Sequence, residues 1–298
     1  MPGLKDVKNK IEGVSKTSQI TKAMHMVASA KLRGAEEKME SFRPYAEKFA
    51  AAMHKLSGGA SNNQPLMQVR EVDSVELIVI TSDRGLCGSF NANIVAKAQQ
   101  LIDQFEAEGK EVTLITVGNK ANQAFKRSGK IRKSHKDIMG TFQMFNARQI
   151  SQSTMTNFLL GEADEVRLVY ARFVSMAKQQ ATATTLLPIQ PPEQQEGTEE
   201  GTDNKGKGAG SAVEYIYEPD PEQIMDGLLP LHLNVQVYHA MIEVAAGEHA
   251  ARMAAMDNAT NACGDIIKEL TQLYNKARQA AITGDLMDIV GGAEALKG

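Results

Sequence analysis

Apolar residues recur at steps of three and four through both ends of this chain, and a long middle of different character separates them. The first stripe runs Leu4, Val7, Ile11, Val14, Ser18, Thr21, His25, Ala28, Leu32, Ala35, Met39, Phe42, Ala46, Phe49, Met53 and Leu56. The second runs Leu231, Val235, Tyr238, Ile242, Ala245, His249, Arg252, Met256, Ala259, Cys263, Ile266, Leu270, Leu273, Ala277 and Ala280. Spacing of this kind over many turns marks coiled-coil helices with a narrow seam. It predicts that the two ends wind around each other. Helices of roughly 54 and 70 residues would measure about 80 and 105 Å at about 1.5 Å per residue.

Each stripe has one polar interruption: Ser18, Thr21 and His25 on the first, His249 and Arg252 on the second. Polar seam positions fix register at a cost in stability. Antiparallel pairing of the two interruptions sets Leu4 near Glu269. The tail beyond that level has no N-terminal helix beside it. Yet it is apolar on several faces, through Ile282, Leu286, Met287, Ile289, Val290, Ala293 and Leu296. A lone helix of that kind needs a sleeve from another molecule, or must fold back or dimerise.

The first helix is predicted from Pro2, tolerated in a first turn, to about Leu56. Gly34 weakens it, Pro44 predicts a bend near Arg43, and Ser57-Gly58-Gly59 ends it. The middle alternates strand and helix signals. Val75 to Thr81 is a buried-strand run that leads into SDRGLCGSFN, followed by a helix over Asn91 to Phe105 and a strand over Val112 to Val117. Short helical segments follow at Asn119 to Arg127 and Asn146 to Gly161, with an unassigned basic stretch, Lys130 to Asp137, between them. Val166 to Val174 and Ala181 to Ile189 read as paired strands. This rhythm predicts a mostly parallel sheet with helices on its faces. The expected organisation is a coiled-coil helix over 1–58, an α/β domain over 73–190, a flexible acidic and Gly-rich insertion over 191–212, and a final strand plus C-terminal helix over 213–298. In the last of these, Val213 to Tyr217 is the strand, and Asp220, Pro221 and Gln223 supply a helix start. Pro230 predicts a second bend.

Composition adds bounds. The absence of tryptophan, few aromatics and 15 methionines suit helices and small-residue packing more than a large sandwich. The net charge of −3 hides a basic start to the first helix: between Met1 and Gly34, Lys5, Lys8, Lys10, Lys16, Lys22, Lys31 and Arg33 face only Asp6 and Glu12. Such a face is either solvated or drawn to an acidic partner. Nucleic acid is disfavoured because no aromatics interleave the lysines. Cys87 and Cys263 lie far apart without metal-ligand spacing and read as free thiols of a reducing compartment. No signal peptide and no apolar run long enough to span a membrane is evident.

Candidate chemistry is sparse. Ser82-Asp83-Arg84-Gly85-Leu86-Cys87-Gly88 stands between strand and helix, where phosphate loops occur, but it matches neither the dinucleotide nor the P-loop pattern. Its glycines suit a tight turn better than a phosphate cradle. Cys87 lacks a nearby histidine base, and His232 and His239, one heptad apart, lack a third ligand. No metal, cofactor or catalytic set is expected.

Several segments resemble a known family. Ile20 to Leu32 (ITKAMHMVASAKL), SDRGLCGSFN, YIYEPDPE (Tyr215 to Glu222) and the tail Tyr274 to Ala293 (YNKARQAAITGDLMDIVGGA) are similar to the gamma subunit of F-type ATP synthase of the bacterial type, across the whole chain and in order. Asp285 stands where that family usually has Glu, and the insertion is longer than usual. There is no chloroplast-type cysteine insertion. The resemblance implies a fold of a long antiparallel coiled coil plus a Rossmann-like α/β domain. It implies the central-stalk rotor, which couples c-ring rotation, driven by protons, to the alpha and beta subunits of the catalytic hexamer. Epsilon and the membrane c-ring are the other implied partners. The location implied is peripheral, on the cytoplasmic face of the bacterial inner membrane, with no catalytic residue in this chain. It points to Met24, Lys31, Arg252, Arg278 and Gln279 as contacts with catalytic subunits. Ile282, Leu286, Ile289 and Val290 belong to a bearing segment, about 270–298. Cys87 and its loop would lie in the globular domain near the coiled coil's flank. A nucleotide-binding enzyme would need the missing phosphate-loop chemistry. A scaffold for polyanions would leave the apolar tail unexplained.

Overall fold

In the computed structural model the described residues are 4–57, 64–190 and 221–295. The expected insertion over 191–212, the Val213 to Tyr217 strand and the Asp220 helix start lie outside them. The elements in chain order are α1 (Leu4–Ser57), β1 (Ser74–Ile80), α2 (Phe90–Ala107), β2 (Glu111–Val117), α3 (Asn119–Phe125), β3 (Ile131–His135), α4 (Met144–Leu159), β4 (Glu165–Ser175), β5 (Lys178–Leu187) and α5 (Pro221–Ala295). A single 3-10 turn, Pro65–Met67, precedes β1. Pro44 lies within α1 and Pro230 within α5, and both helices continue past their proline. The basic stretch that the sequence left unassigned is the strand β3.

The described chain forms two compact units. One comprises Met1–Leu32, Leu86–Gly88 and His249–Gly298, and the other Arg33–Gly85 and Ser89–Glu248. In the second unit five strands are ordered β3-β2-β1-β4-β5. The first four run parallel, and β5 closes one edge antiparallel to β4. The mixed sheet and its crossovers match the mostly parallel sheet read from the strand–helix rhythm and the Rossmann-like domain that the resemblance implies. Right-handed crossovers place α2 and α3 on one face and α4 on the other. Burial on both faces explains why β1 is an unbroken apolar run around one exception, with Leu77, Ile78, Val79 and Ile80 fully buried.

That exception is Glu76, fully buried in the central strand. Its Oε1 accepts from Arg132 Nε at 2.7 Å and Nη2 at 2.6 Å, and from Asn157 Nδ2 at 3.1 Å. Arg132 is the extra residue of a β-bulge: Leu114 pairs with Ile131 and Ile115 with Lys133. A bulge re-aims one side chain. Here it turns an edge-strand arginine towards the middle of the sheet. Burial pushes the Glu76 carboxyl up, and Arg132 pulls it part of the way back.

Parts of α1 and α5 pack together in this unit as well. Phe42 meets Tyr238 edge-on at 5.1 Å and Phe49 stacks on His232 at 5.9 Å, so the helices run antiparallel. From Ala240 to Glu248 α5 is buried on all sides, more than a narrow stripe predicts. Gly247 allows that approach: a Cβ there would stand 2.8 Å from the Phe90 ring.

The first unit corrects the expected register. Thr21 Oγ1 and Thr260 Oγ1 are 2.7 Å apart, which brings Leu4 level with Ala277 rather than Glu269. The overlap is longer by about two helical turns. The seam on α5 follows Met256, Thr260, Cys263, Ile267, Leu270, Tyr274 and Ala277, all buried or half-buried. Ile266 and Leu273, expected in the seam, are instead 44% exposed. The pattern slips by one residue because the 3-4 alternation, counted from Thr260, falls on Ile267 and Tyr274.

Gly118 has φ +90°, and a Cβ there would lie 2.3 Å from the Thr81 carbonyl oxygen. Gly118→Ala is expected to destabilise the second unit by roughly 2–4 kcal/mol. Gly109→Ala, at φ +79° with no atom within 4 Å, is expected to cost about 1–2 kcal/mol. Denaturant melts of the two variants read the difference.

Candidate functional site

The loop after β1 sits where doubly wound sheets commonly bind ligands. Its own side chains occupy that place. The Asp83 carboxylate accepts from the backbone amides of Asn119 at 3.0 Å, Asp137 at 3.1 Å and Met139 at 2.8 Å. Asn119 opens α3, so the carboxylate takes the position at a helix start that a phosphate would favour. The Ser82 hydroxyl donates to the Arg84 carbonyl at 2.7 Å and its backbone amide to Asn91 Oδ1 at 3.1 Å, and Thr81 Oγ1 accepts from the Ala121 amide at 2.8 Å. These bonds tie β1, α2, α3 and the segment after β3 together. The tight-turn reading of SDRGLCG therefore has a cause: the aspartate organises the turn. Cys87, at the loop tip, is 2% exposed and belongs to the first unit with the coiled-coil residues.

The nine residues expected to meet partners all fall in the first unit. Met24 is half-buried on α1, Lys31 is exposed and Arg252 is half-buried on α5. Lys31 and Arg252 come together around His249. Burial first, then the charges of Arg252 and Lys31, hold its imidazole down at about 4. The histidine is therefore neutral in the seam near pH 7, with Nδ1 buried and without a hydrogen-bond partner among the described residues. Arg278, Gln279, Ile282, Leu286, Ile289 and Val290 lie past the level of Leu4 and are all exposed. Ile282, Leu286, Ile289 and Val290 show 51%, 56%, 68% and 57% of their surface, and Met287 67%. α5 continues as a helix to Ala295 with this apolar surface uncovered.

Sequence reasoning passed over a second apolar row on α1. Ile20 and Val27 are 60% and 57% exposed, with Ala23 between them on the same face and Met26 beside them at 59%. Their spacing of three and four was visible, but the stronger seam pattern masked it.

Known proteins give a consistent picture. The ATP synthase family profile matches residues 3–296. A relative called ATP synthase gamma chain from Desulfotalea psychrophila is 58% identical over 298 residues, covering 100% of both chains. Another of the same name from Nitratidesulfovibrio vulgaris strain Miyazaki F is 50% identical over 301 residues, again covering 100% of both. Among solved structures, the fold is like that of a chain in Euglena gracilis mitochondrial ATP synthase (OSCP/F1/c-ring), with TM-score 0.67, 21% identity, and 98% of this chain and 94% of that one covered. A chain in the central stalk and c-ring structure of the Tetrahymena thermophila enzyme gives TM-score 0.59 at 24% identity, covering 80% of this chain and 99% of that one.

Two outcomes test the first unit. In a background lacking Cys87 and Cys263, the pair Thr21→Cys and Thr260→Cys is expected to cross-link on mild oxidation, whereas Thr21→Cys with Arg252→Cys is not; gel mobility reads this. For His249, a folded value below that of the unfolded chain means stability present above the ordinary imidazole value and lost as pH falls towards about 4. His249→Gln is expected to remove about 1–2 kcal/mol of that acid loss, allowing for solvent screening of a partly exposed group. Thermal melts across that range measure it.

Proposed function

Since this chain belongs to the ATP synthase gamma-chain family, we propose that it is the central-stalk rotor subunit of an F-type ATP synthase, carrying c-ring rotation to the alpha/beta catalytic hexamer. One observation carries the reading most. The seam stops near Ala277 while α5 runs on to Ala295 with five large apolar side chains exposed. A single helix that is greasy on several sides is stable in water only inside an apolar sleeve. The hexamer supplies that sleeve, and the tail turns in it as a bearing.

In this reading the chain performs no chemistry of its own. ATP is made or hydrolysed on the hexamer, and the turn after β1 is committed to holding Asp83 among backbone amides. The shaft acts by differential contact. Each orientation offers a different face to each catalytic subunit, and so favours one conformation of it. Moving a neighbour from roughly 1:99 to 99:1 takes about 5.5 kcal/mol of differential contact energy. About two to four hydrogen bonds to charged groups, each worth about 1.5–3 kcal/mol, suffice. Met24, Lys31, Arg252, Arg278 and Gln279 are the residues we assign to those contacts. The lysine-rich start of α1 suits acidic loops on the hexamer. The α/β domain would rest on the c-ring with epsilon, which makes the chain peripheral to the cytoplasmic face of a bacterial inner membrane. No helix among the described residues is long and apolar enough to cross one.

A tagged chain drawn from detergent-solubilised membranes of its source is expected to bring down an alpha/beta complex with ATPase activity. Recovery of the chain alone, without that activity, would overturn the rotor reading. Removal of the last 15 residues, Gly284 to Gly298, is expected to leave the α/β domain folded and to lower ATP-driven ion pumping about tenfold more than ATPase activity. Equal loss of both would sink the bearing assignment.

A further inference from the structure

Within the second unit, a cleft of about 560 Å³ opens between α1, β4 and α5. At its wall stands Glu243, only 6% exposed, a carboxylate that no part of the rotor reading uses. Its Oε2 has no hydrogen-bond partner among the described residues. Its Oε1 lies 3.8 Å from Nδ1 of His239, one turn earlier on α5. From β4 two groups act on the same carboxylate, the Arg172 guanidinium and the backbone amide of Phe173. Tyr170, also on β4, senses the Glu243 charge, and α1 adds Arg43 and Glu47 to the cleft wall. A second imidazole on α5, His232, also lines the cleft and has a buried Nδ1 without a partner among the described residues.

A buried carboxylate with one oxygen unpartnered, at the wall of a cleft, is costly when charged and comfortable when neutral. The surrounding groups act in opposite directions on that balance. Arg172 and the Phe173 amide favour the anion, while burial favours the acid. We propose that Glu243 is a proton-binding site that clamps α5 to the β4–β5 hairpin. The neutral acid keeps the packed arrangement, with the Phe173 amide donating to it. Loss of its proton as pH rises leaves a charge in a buried place and loosens the contact.

The charges on the page support this assignment. Burial pushes the Glu243 carboxyl up to about 7, with Arg172 and then the Phe173 amide drawing it back. His239 is held below its ordinary value, first by burial and then by Arg172 and Arg43, and His232 is lowered by burial. Near neutrality both histidines are therefore uncharged, and Arg172 is the cation that answers the carboxylate. Because the Glu243 value is raised in the fold, stability from this group is present below the ordinary carboxyl value and falls as pH rises towards 7. The histidines run the other way, losing stability as pH falls below the ordinary imidazole value. Only a comparison that isolates Glu243 separates them.

The test uses the full chain and E243Q, which keeps the shape of the neutral acid. Hydrogen exchange at the Phe173 amide, corrected for its intrinsic rate, is followed between about pH 5.5 and 8, roughly a unit either side of the raised value. Wild-type protection is expected to fall about tenfold across that range, and E243Q protection to stay flat. Parallel curves for the two proteins would overturn the proposal. Should E243Q fail to fold, the assigned Glu243 carboxyl carbon in the wild type is titrated by NMR. A midpoint near 7 supports the proton site, and a midpoint in the ordinary carboxyl range overturns it.

Discussion

Two helix segments remote in sequence stay paired only while each buries a thin stripe against the other, and the first unit depends on that seam. Its buried members include Val7, Ala28 and Leu32 on α1 and Met256 and Cys263 on α5. Many are small, so each contact contributes little apolar area at about 25 cal/mol per Å². The pairing is thus long and shallow, and its offset rests on a few discriminating contacts. The Thr21 and Thr260 hydroxyls are one, with one of them donating to the other across the seam while the second donates to a carbonyl of its own helix. Where the seam ends decides which part of α5 faces water, and so where another molecule must take over.

The second unit is held by a different logic. A parallel sheet buried on both faces needs only apolar strands, yet this one keeps a carboxylate at its centre and another at its switch-point turn. Glu76 draws a bulged edge strand inward through Arg132. Asp83 draws three backbone amides from two further segments into one turn. Such groups are expensive to bury and expensive to strip of a partner, which gives them more control over geometry than their number suggests. Glu243 belongs to the same class and, like Glu76, has one oxygen without a partner among the described residues, but it stands at the wall of a cleft rather than inside the sheet.

Much of this was legible in the chain. The seam residues of α1 follow the predicted stripe from Leu4 to Met53, and β1, β2, β4 and β5 fall within a few residues of their apolar runs, because period and burial are local signals. The offset between the helices was not legible. It was inferred from matching polar interruptions, but His249 tolerates the seam as a neutral imidazole beside Lys31 and Arg252, so it had no need of Thr21. The strand β3 was hidden because its arginine and lysine side chains serve a bulge and an open edge rather than a core. For the residues proposed to meet partners the sequence pattern offered little beyond exposure and charge. Their roles came from family resemblance, and the row through Ile20 and Val27 went unnoticed beside a stronger periodic signal.

The uncovered tail also bears on how the cell must handle this chain. A helix end carrying Ile282, Leu286, Met287, Ile289 and Val290 into water is a sticky surface from the moment of synthesis. Copies made in excess of their sleeve have that surface to share with one another or with chaperones, and proteases find an exposed helix terminus readily. Supply of this chain is therefore tied to the supply of whatever encloses it. Matched production is a requirement written into the last few turns of α5.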